Sequence, residues 1–152
     1  MVKNTDQYYM KIALEEAQKA YKKKEVPIGA IVVKNGEVIS RGHNLRETLN
    51  DPTAHAEIIV IKKAAIKLGG WRLSDCRLYV TIEPCPMCAG ALVQSRVKSL
   101  IYGASDPKAG AAGSIINIVD FEEFNHKLEF KSGVLENECS KLMKKFFKEL
   151  RT

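Results

Sequence analysis

The residue pattern predicts an α/β layered fold with at least one pair of parallel strands, and three observations carry that expectation. Apolar runs of strand length alternate with amphipathic runs of helix length, an Asn-Gly pair marks a tight hairpin, and Gly69-Gly70 and Pro86 fall where helices stop and start. The 152 residues, 45% hydrophobic and 28% charged, suit a single soluble domain spanning 1–152, large enough to bury a core without disulfides or a structural metal. Any metal is therefore expected to be functional. No apolar run approaches the roughly 18 to 20 residues needed to cross a bilayer. The opening residues also lack the apolar stretch of a signal peptide, so a cytoplasmic location with no membrane partner is expected.

The first helix is expected from Thr5 or Asp6, either of which can cap it, to about Lys23. Tyr9, Met10, Ala13, Leu14, Ala17, Ala20 and Tyr21 recur there at three- and four-residue steps. Ile28 to Val33, Asn35-Gly36 and Val38-Ile39 read as a hairpin, because Asn-Gly supplies the positive φ values of a two-residue turn. The polar run from His43 to Thr53 reads as a loop. Helical spacing returns between Ala54 and Leu68, and Gly69-Gly70 ends it. Arg77 to Ile82 is a strand leading straight into Glu83-Pro84-Cys85-Pro86-Met87-Cys88, where Pro86 suits the first turn of a helix that continues to Gln94. Val97 to Tyr102 is another short strand. Asp106 to Ser114, rich in glycine and alanine, is loop, and Ile115 to Val119 is apolar but of open type. Asp120 with Glu123 can form the capping box of a brief helix. A final helix spans about Asn137 to Leu150, with Phe146 and Phe147 adjacent and so unable to face one groove together.

The chemistry concentrates in few residues. Two cysteines three apart at a helix start can point both sulfurs at one ion, and the helix N-terminus favours their thiolates. A thioredoxin-like redox pair is the competing reading of Cys85 and Cys88. His55, at the start of its own helix after Asp51-Pro52-Thr53, can supply a third ligand if the two helix starts converge at one end of the sheet. Otherwise it is a satisfied polar residue at a helix start. Three protein ligands leave a tetrahedral position for water, as in catalytic rather than structural zinc sites. Glu57, two residues on, can then move a proton between that water and a substrate nitrogen. Cys76 and Cys139 carry no such pattern and read as buried fillers. The formal charge of +6 permits an anionic partner without proving one. It gathers at Lys22-Lys23-Lys24 and along Lys141, Lys144, Lys145, Lys148 and Arg151, where lysines also complement a helix dipole.

His-x-Glu followed by Pro-Cys-x-x-Cys is the signature of the zinc nucleobase deaminases, present here as His55-Ala56-Glu57 and Pro84-Cys85-Pro86-Met87-Cys88. Beyond it, nearly the whole chain resembles the bacterial tRNA-specific adenosine deaminases. The resemblance runs through Val26-Pro27-Ile28-Gly29-Ala30, Gly42-His43-Asn44, the segment 51–57, the segment 81–88, Tyr102 to Ser114, Asn125-His126, Glu138-Cys139 and Phe146-Phe147. Ser105 and Pro107 depart from the commoner pattern around Asp106 and alter loop detail rather than reaction class.

The resemblance implies a three-layer α-β-α, cytidine-deaminase-like fold with a mixed five-stranded sheet, a homodimer, and one Zn2+ per subunit held by His55, Cys85 and Cys88. It implies that an anticodon stem-loop binds across the dimer, the wobble adenosine of an arginine tRNA entering the zinc pocket. There a zinc-bound hydroxide attacks C6, Glu57 shuttles protons and ammonia leaves. Asn44 and the backbone N–H of Ala56 resemble groups that read the base, and Ile28 lines the strand behind it. Lys108, Asn125, His126 and Phe147 resemble RNA contacts. Each of these also has a plain reading: Asn44 as a loop cap, Ile28 as core, Lys108 as surface, His126 as a turn cap, and the Phe pair as core or dimer contact. A deaminase of free bases or nucleosides would share every zinc residue, and a non-enzymatic zinc-stabilised RNA-binding module would share the metal and the charge.

Overall fold

The structure, a computed structural model, describes residues 5–151. Thr5 caps α1 (Asp6–Lys22) by accepting the Tyr8 N–H at 3.1 Å. The hairpin follows as β1 (Gly29–Lys34) and β2 (Glu37–His43), joined through Asn35 and Gly36 with φ of 51° and 77°. Strand β2 runs on to His43, and the expected loop after it contains a one-turn helix, α2 (Arg46–Leu49). The strand lies at the sheet edge, paired with β1 alone, and its second half, Ser40 to His43, has no apolar side chain to mark it in the sequence. Helix α3 (Ala56–Leu68) ends at Gly69, which takes the left-handed conformation at φ 74°. Then come β3 (Cys76–Ile82), α4 (Pro86–Gln94) with Pro86 in its first turn, and β4 (Ser99–Ala104), two residues later than its apolar pattern suggested.

The rest departs more from expectation. Asp120 to Glu123 forms turns rather than a capped helix, and the Asp120 N–H donates to Asn117 Oδ1 instead. Strand β5 (Glu129–Lys131) carried no sequence signal, because all three of its residues are exposed. Helix α5 (Glu136–Leu150) closes the chain, burying Phe146 and leaving Phe147 exposed, as their adjacency requires.

The sheet order is β2-β1-β3-β4-β5, with β1 antiparallel to both β2 and β3 and with β4 parallel to both β3 and β5. Side-chain alternation divides the core in two. Ala30, Val32, Leu78, Val80, Leu100 and Tyr102 pack with residues of α3 and α4, whereas Ile31, Val33, Tyr79 and Ile101 pack with residues of α1 and α5. This is a three-layer α/β/α arrangement with a mixed five-stranded sheet. Cys76 and Cys139 are both buried within it. Among the described residues, no helix is long and apolar enough to cross a membrane.

Strand direction decides which residues meet. The C-terminal ends of β2, β3 and β4 and the N-terminal end of β1 share one edge of the sheet, since His43 pairs with Gly29, and Ile82 with Ala104. That edge collects Ile28, Asn44, Cys85 and the loop after Ala104. Close packing there depends on Gly29. A Cβ at this position would lie 2.0 Å from the Ala13 carbonyl oxygen and 2.4 Å from the Ala17 nitrogen, so any side chain pushes α1 off the sheet. Gly29→Ala is expected to destabilise the protein by about 2 kcal/mol or more in denaturant unfolding. A loss within about 0.5 kcal/mol, the range of ordinary surface changes, would reject this packing.

Candidate metal centre

Two helix starts point at one spot. His55 is the N-cap residue of α3 and Cys85 the N-cap residue of α4, and neither makes a side-chain capping bond to its own helix. Their side chains turn to each other instead. His55 Nδ1 lies 3.6 Å from Cys85 Sγ and 3.4 Å from Cys88 Sγ, and the three ligand atoms all fall within 4.8 Å of one another. Tetrahedral zinc, with sulfur about 2.3 Å and nitrogen about 2.0–2.1 Å away, separates S from N by about 3.6 Å. The donor set therefore fits that ion in spacing as well as in chemistry. A redox pair requires only the two sulfurs and leaves the imidazole unexplained.

The local electrostatics are those of a site short of positive charge. The hydrogen bond from the Cys88 thiol, followed by that from His55, lowers the Cys85 thiol to about 4. Cys88 is pushed strongly upward, first as donor to Cys85 and then by burial, and His55 is raised by its bond to the same sulfur. One sulfur thus gathers the protons of its neighbours in a place where a cation can take over their role. Glu57 is 3% exposed, and burial pushes its carboxyl up to about 7. The Cys88 thiol is within its hydrogen-bonding reach, which sets the acid beside the ligand cluster without making it a ligand.

Asn44 lies against the start of α3. Its Oδ1 accepts the Ala56 N–H at 2.7 Å, while its own N–H donates to the Ile28 carbonyl at 3.1 Å. An N–H can meet only an acceptor, so this contact fixes the amide orientation and turns the carboxamide nitrogen toward other partners. The Ala56 N–H, expected to meet the base, is engaged by Asn44 in this structure. Ile28 is half-buried, and its carbonyl receives the Asn44 N–H.

Three buried acids, none of them singled out by the sequence reading, shape this edge. Glu83 accepts the N–H groups of Asp106, Ala112 and Ser114, each at 3.0 Å, together with the Ser114 hydroxyl. Burial alone would raise its carboxyl, but these donors prevail and hold it below the usual range. The loop carrying Lys108 is thereby drawn onto the start of α4, where the Ala111 N–H meets the Pro84 carbonyl at 2.9 Å. Glu25 accepts the N–H groups of Glu47 and Thr48 and the Thr48 hydroxyl, capping α2 from outside just after Asn44. Glu16 accepts from Lys19, Arg41 and His43 at 2.7 to 2.8 Å; against the upward pull of burial, these bonds bring it to about 2. The available signal was an acid placed directly beside a recognisable motif yet without a ligand's spacing, as Glu83 stands before Pro84-Cys85.

The remaining expected contacts are scattered. Lys108 is exposed in the loop that Glu83 organises. Phe147 is exposed near the end of α5, its ring 5.3 Å from that of Phe146, which packs on Tyr21 at the end of α1. Asn125 and His126 are not brought to the cluster. His126 Nε2 donates to the Val97 carbonyl at 2.6 Å, just before β4, whereas Cys85 follows β3. Because β3 and β4 are parallel, those points lie at opposite ends of the sheet. Two surface clefts elsewhere, one lined by Asp6, Arg77 and Glu129 and the other by Leu14, Gln18 and Leu142, hold no comparable group of ligand side chains among the described residues.

Comparison with known proteins agrees with this geometry. A family model for MafB19-like deaminases matches residues 4–151. The tRNA-specific adenosine deaminase of Bacillus subtilis (strain 168) is 56% identical over 146 residues, covering 96% of this chain and 91% of that protein. A solved structure from studies of A-to-I editing by tRNA:A34 deaminases at the wobble position of transfer RNA superposes with a TM-score of 0.86 at 45% identity, covering 89% of this chain and 98% of that one. A guanine deaminase from Bacillus subtilis is more distant, with a TM-score of 0.66 at 34% identity, covering 97% and 94% of the two chains. With the ligand triad, the buried acid and the three-layer sheet all in place, this chain belongs to the family of tRNA-specific adenosine deaminases.

Proposed function

We propose that the chain, read as one domain over 1–152, is a zinc-dependent enzyme that converts adenosine to inosine at the wobble position of a tRNA anticodon, an arginine tRNA by resemblance. The observation that carries this reading is the S···N spacing of 3.4 and 3.6 Å among His55, Cys85 and Cys88 with Glu57 buried beside them. Bound by those three side chains, one zinc ion per subunit supplies the Lewis acidity that lets water act as a nucleophile near neutral pH. Glu57 takes a proton from the nucleophile and delivers one to N1, and later protonates the exocyclic amine. The C6–O bond forms, the C6–N bond breaks, and ammonia leaves with hypoxanthine remaining on the ribose. The Asn44 carboxamide nitrogen donates to an acceptor on the base, Ala56 holds that amide in place, and Ile28 forms the apolar wall.

A base from a single-stranded loop is the cheaper substrate, since little pairing is lost when it leaves its stack. Lys108 in the loop over the ligand helix, and Phe147 beside the lysines of α5, support contact with an anticodon stem-loop. Asn125 and His126, one strand length away, are assigned to the stem rather than to the target base. Four free cysteines suit a reducing cytoplasm. Ile115, Ile116, Phe121 and Phe124 are exposed apolar residues on the segment after the Glu83-held loop, and they support a homodimer that extends the RNA-binding surface.

The decisive experiment gives zinc-loaded protein total tRNA and, separately, free nucleosides, followed by nucleoside mass analysis. Inosine is expected only from tRNA, and inosine or xanthosine from free nucleosides alone would reject the polymer assignment in favour of a small-molecule deaminase. Glu57→Gln should keep its zinc and its RNA while kcat falls by about 10²- to 10⁴-fold. Full turnover in that variant would remove Glu57 from the chemistry and leave the non-enzymatic binding module as the better reading. Cys88→Ala should lose its zinc, and wild-type stoichiometry by metal analysis would strike Cys88 from the ligand set. Sedimentation is expected to show a dimer, and an active monomer would overturn that assembly.

A further inference from the structure

The end of α1 carries three consecutive lysines, and one of them differs from its neighbours. Lys23 Nζ lies 3.0 Å from His43 Nε2, whereas among the described residues Lys22 and Lys24 show no side-chain hydrogen bond. On the other side of the same ring, His43 Nδ1 lies 2.8 Å from Glu16 Oε1. A carboxylate cannot donate, so Nδ1 carries the proton. An ammonium cannot accept, so Nε2 offers its lone pair. A neutral imidazole in that one tautomer satisfies both contacts. Glu16 and His43 are 3% and 7% exposed, and Lys19 and Arg41 hold the second oxygen of Glu16 from the other side. The chain Glu16–His43–Lys23 is thus anchored in the protein interior and ends in a surface cation.

Its position connects it to the pocket. His43 ends β2 and immediately precedes Asn44, whose side chain bonds the first residue of α3. Successive residues of a strand face opposite sides. Asn44 accordingly serves the metal side of the sheet, while His43 reaches the α1 side and sets a positive charge at the same edge. Lysine side chains on a surface ordinarily give up rotamer entropy when a ligand fixes them. Here much of that ordering is already present in the protein.

We propose that Lys23 is a preset contact for a backbone phosphate of the RNA strand that carries the target adenosine, and that His43, backed by Glu16, is the positioning residue that holds it. The inference rests on the tRNA reading above and deepens it. A cation held at the end of α1 by His43, the residue next to Asn44, adds affinity for a nucleotide within a polymer and adds nothing for a free base, which lacks the phosphodiester. It therefore assigns part of the preference for RNA to a residue that does not touch the base.

The test measures binding and deamination of an anticodon stem-loop by the zinc-loaded full chain across about 50 to 200 mM salt. Lys23→Gln is expected to reduce the slope of log affinity against log salt by about 0.7 to 0.9, the share of one phosphate contact. It should also raise KM about tenfold, with the loss falling on KM rather than kcat. Lys23→Arg should restore the slope. His43→Gln should reproduce part of the affinity loss and add little in a Lys23→Gln background, since both act on one contact. A Lys23→Gln slope equal to that of the wild type, or full additivity of the two substitutions, would overturn the proposal. Wild-type protein that neither binds nor deaminates the stem-loop would instead overturn the tRNA assignment itself, so the two failures are told apart by the unsubstituted chain.

Discussion

The arrangement depends on two helix N-termini converging so that the side chains of their cap residues meet. Each helix start presents unpaired N–H groups and the positive end of a dipole, a place that ordinarily recruits a capping side chain. Here His55 and Cys85 occupy the cap positions but turn outward, Nδ1 and Sγ meeting at 3.6 Å. The helix dipole favours thiolate at the start of α4, and β1, paired with β2 on one side and β3 on the other, sets the strand ends from which the two helix starts follow. Three soft or borderline donors in so small a volume are poorly satisfied by protons alone, whereas a divalent cation satisfies all of them at once.

Rigidity around that point comes from buried carboxylates rather than from apolar packing alone. Glu16, Glu25 and Glu83 each lie at 1 to 3% exposure, where an unpaired charge would be costly. Each is matched by three or more donors, and no buried side-chain polar atom among the described residues lacks a partner. A hydrogen-bonded carboxylate demands direction as well as proximity, which an apolar contact does not. Glu25 places the turn after Asn44, Glu16 the strand end before it, and Glu83 the loop that follows the sheet. Gly110 belongs to the same device, since a Cβ there would lie 2.4 Å from the Glu83 carboxyl carbon.

Charge is distributed to match. Cys88 and Glu57 lie buried, and His55 and Cys85 half-buried, at one edge of the sheet, and the end of α1 meets α5 through Tyr21, whose ring contacts both Phe146 and Lys145. The lysines of these two helices end both dipoles and face solvent, so a single feature serves helix stability and the attraction of a polyanion. The chemistry sits on the α3 and α4 side of the sheet, and the basic surface on the α1 and α5 side.

What the amino-acid order determined by itself was whatever depends on near neighbours. Asn35-Gly36 specified a hairpin turn, Gly69 a left-handed helix end, and Pro86 a helix start, because φ preferences are properties of single residues. The identities of His55, Glu57, Cys85 and Cys88 were legible for a related reason, since ligand chemistry allows few side chains and the spacing between the cysteines is set by one helical turn. Tertiary structure decided what depends on residues far apart in the chain. It brought His55 to the cysteines thirty positions later and gave the Ala56 N–H to Asn44, and it carried His126 to the opposite end of the sheet. It also made a strand of the exposed Glu129–Lys131 and buried three acids whose partners lie tens of residues away. Periodicity along a chain reports which face of an element is covered. It carries no information about which distant donor will stand opposite a given carboxylate, and that is settled only when strand order and direction are fixed.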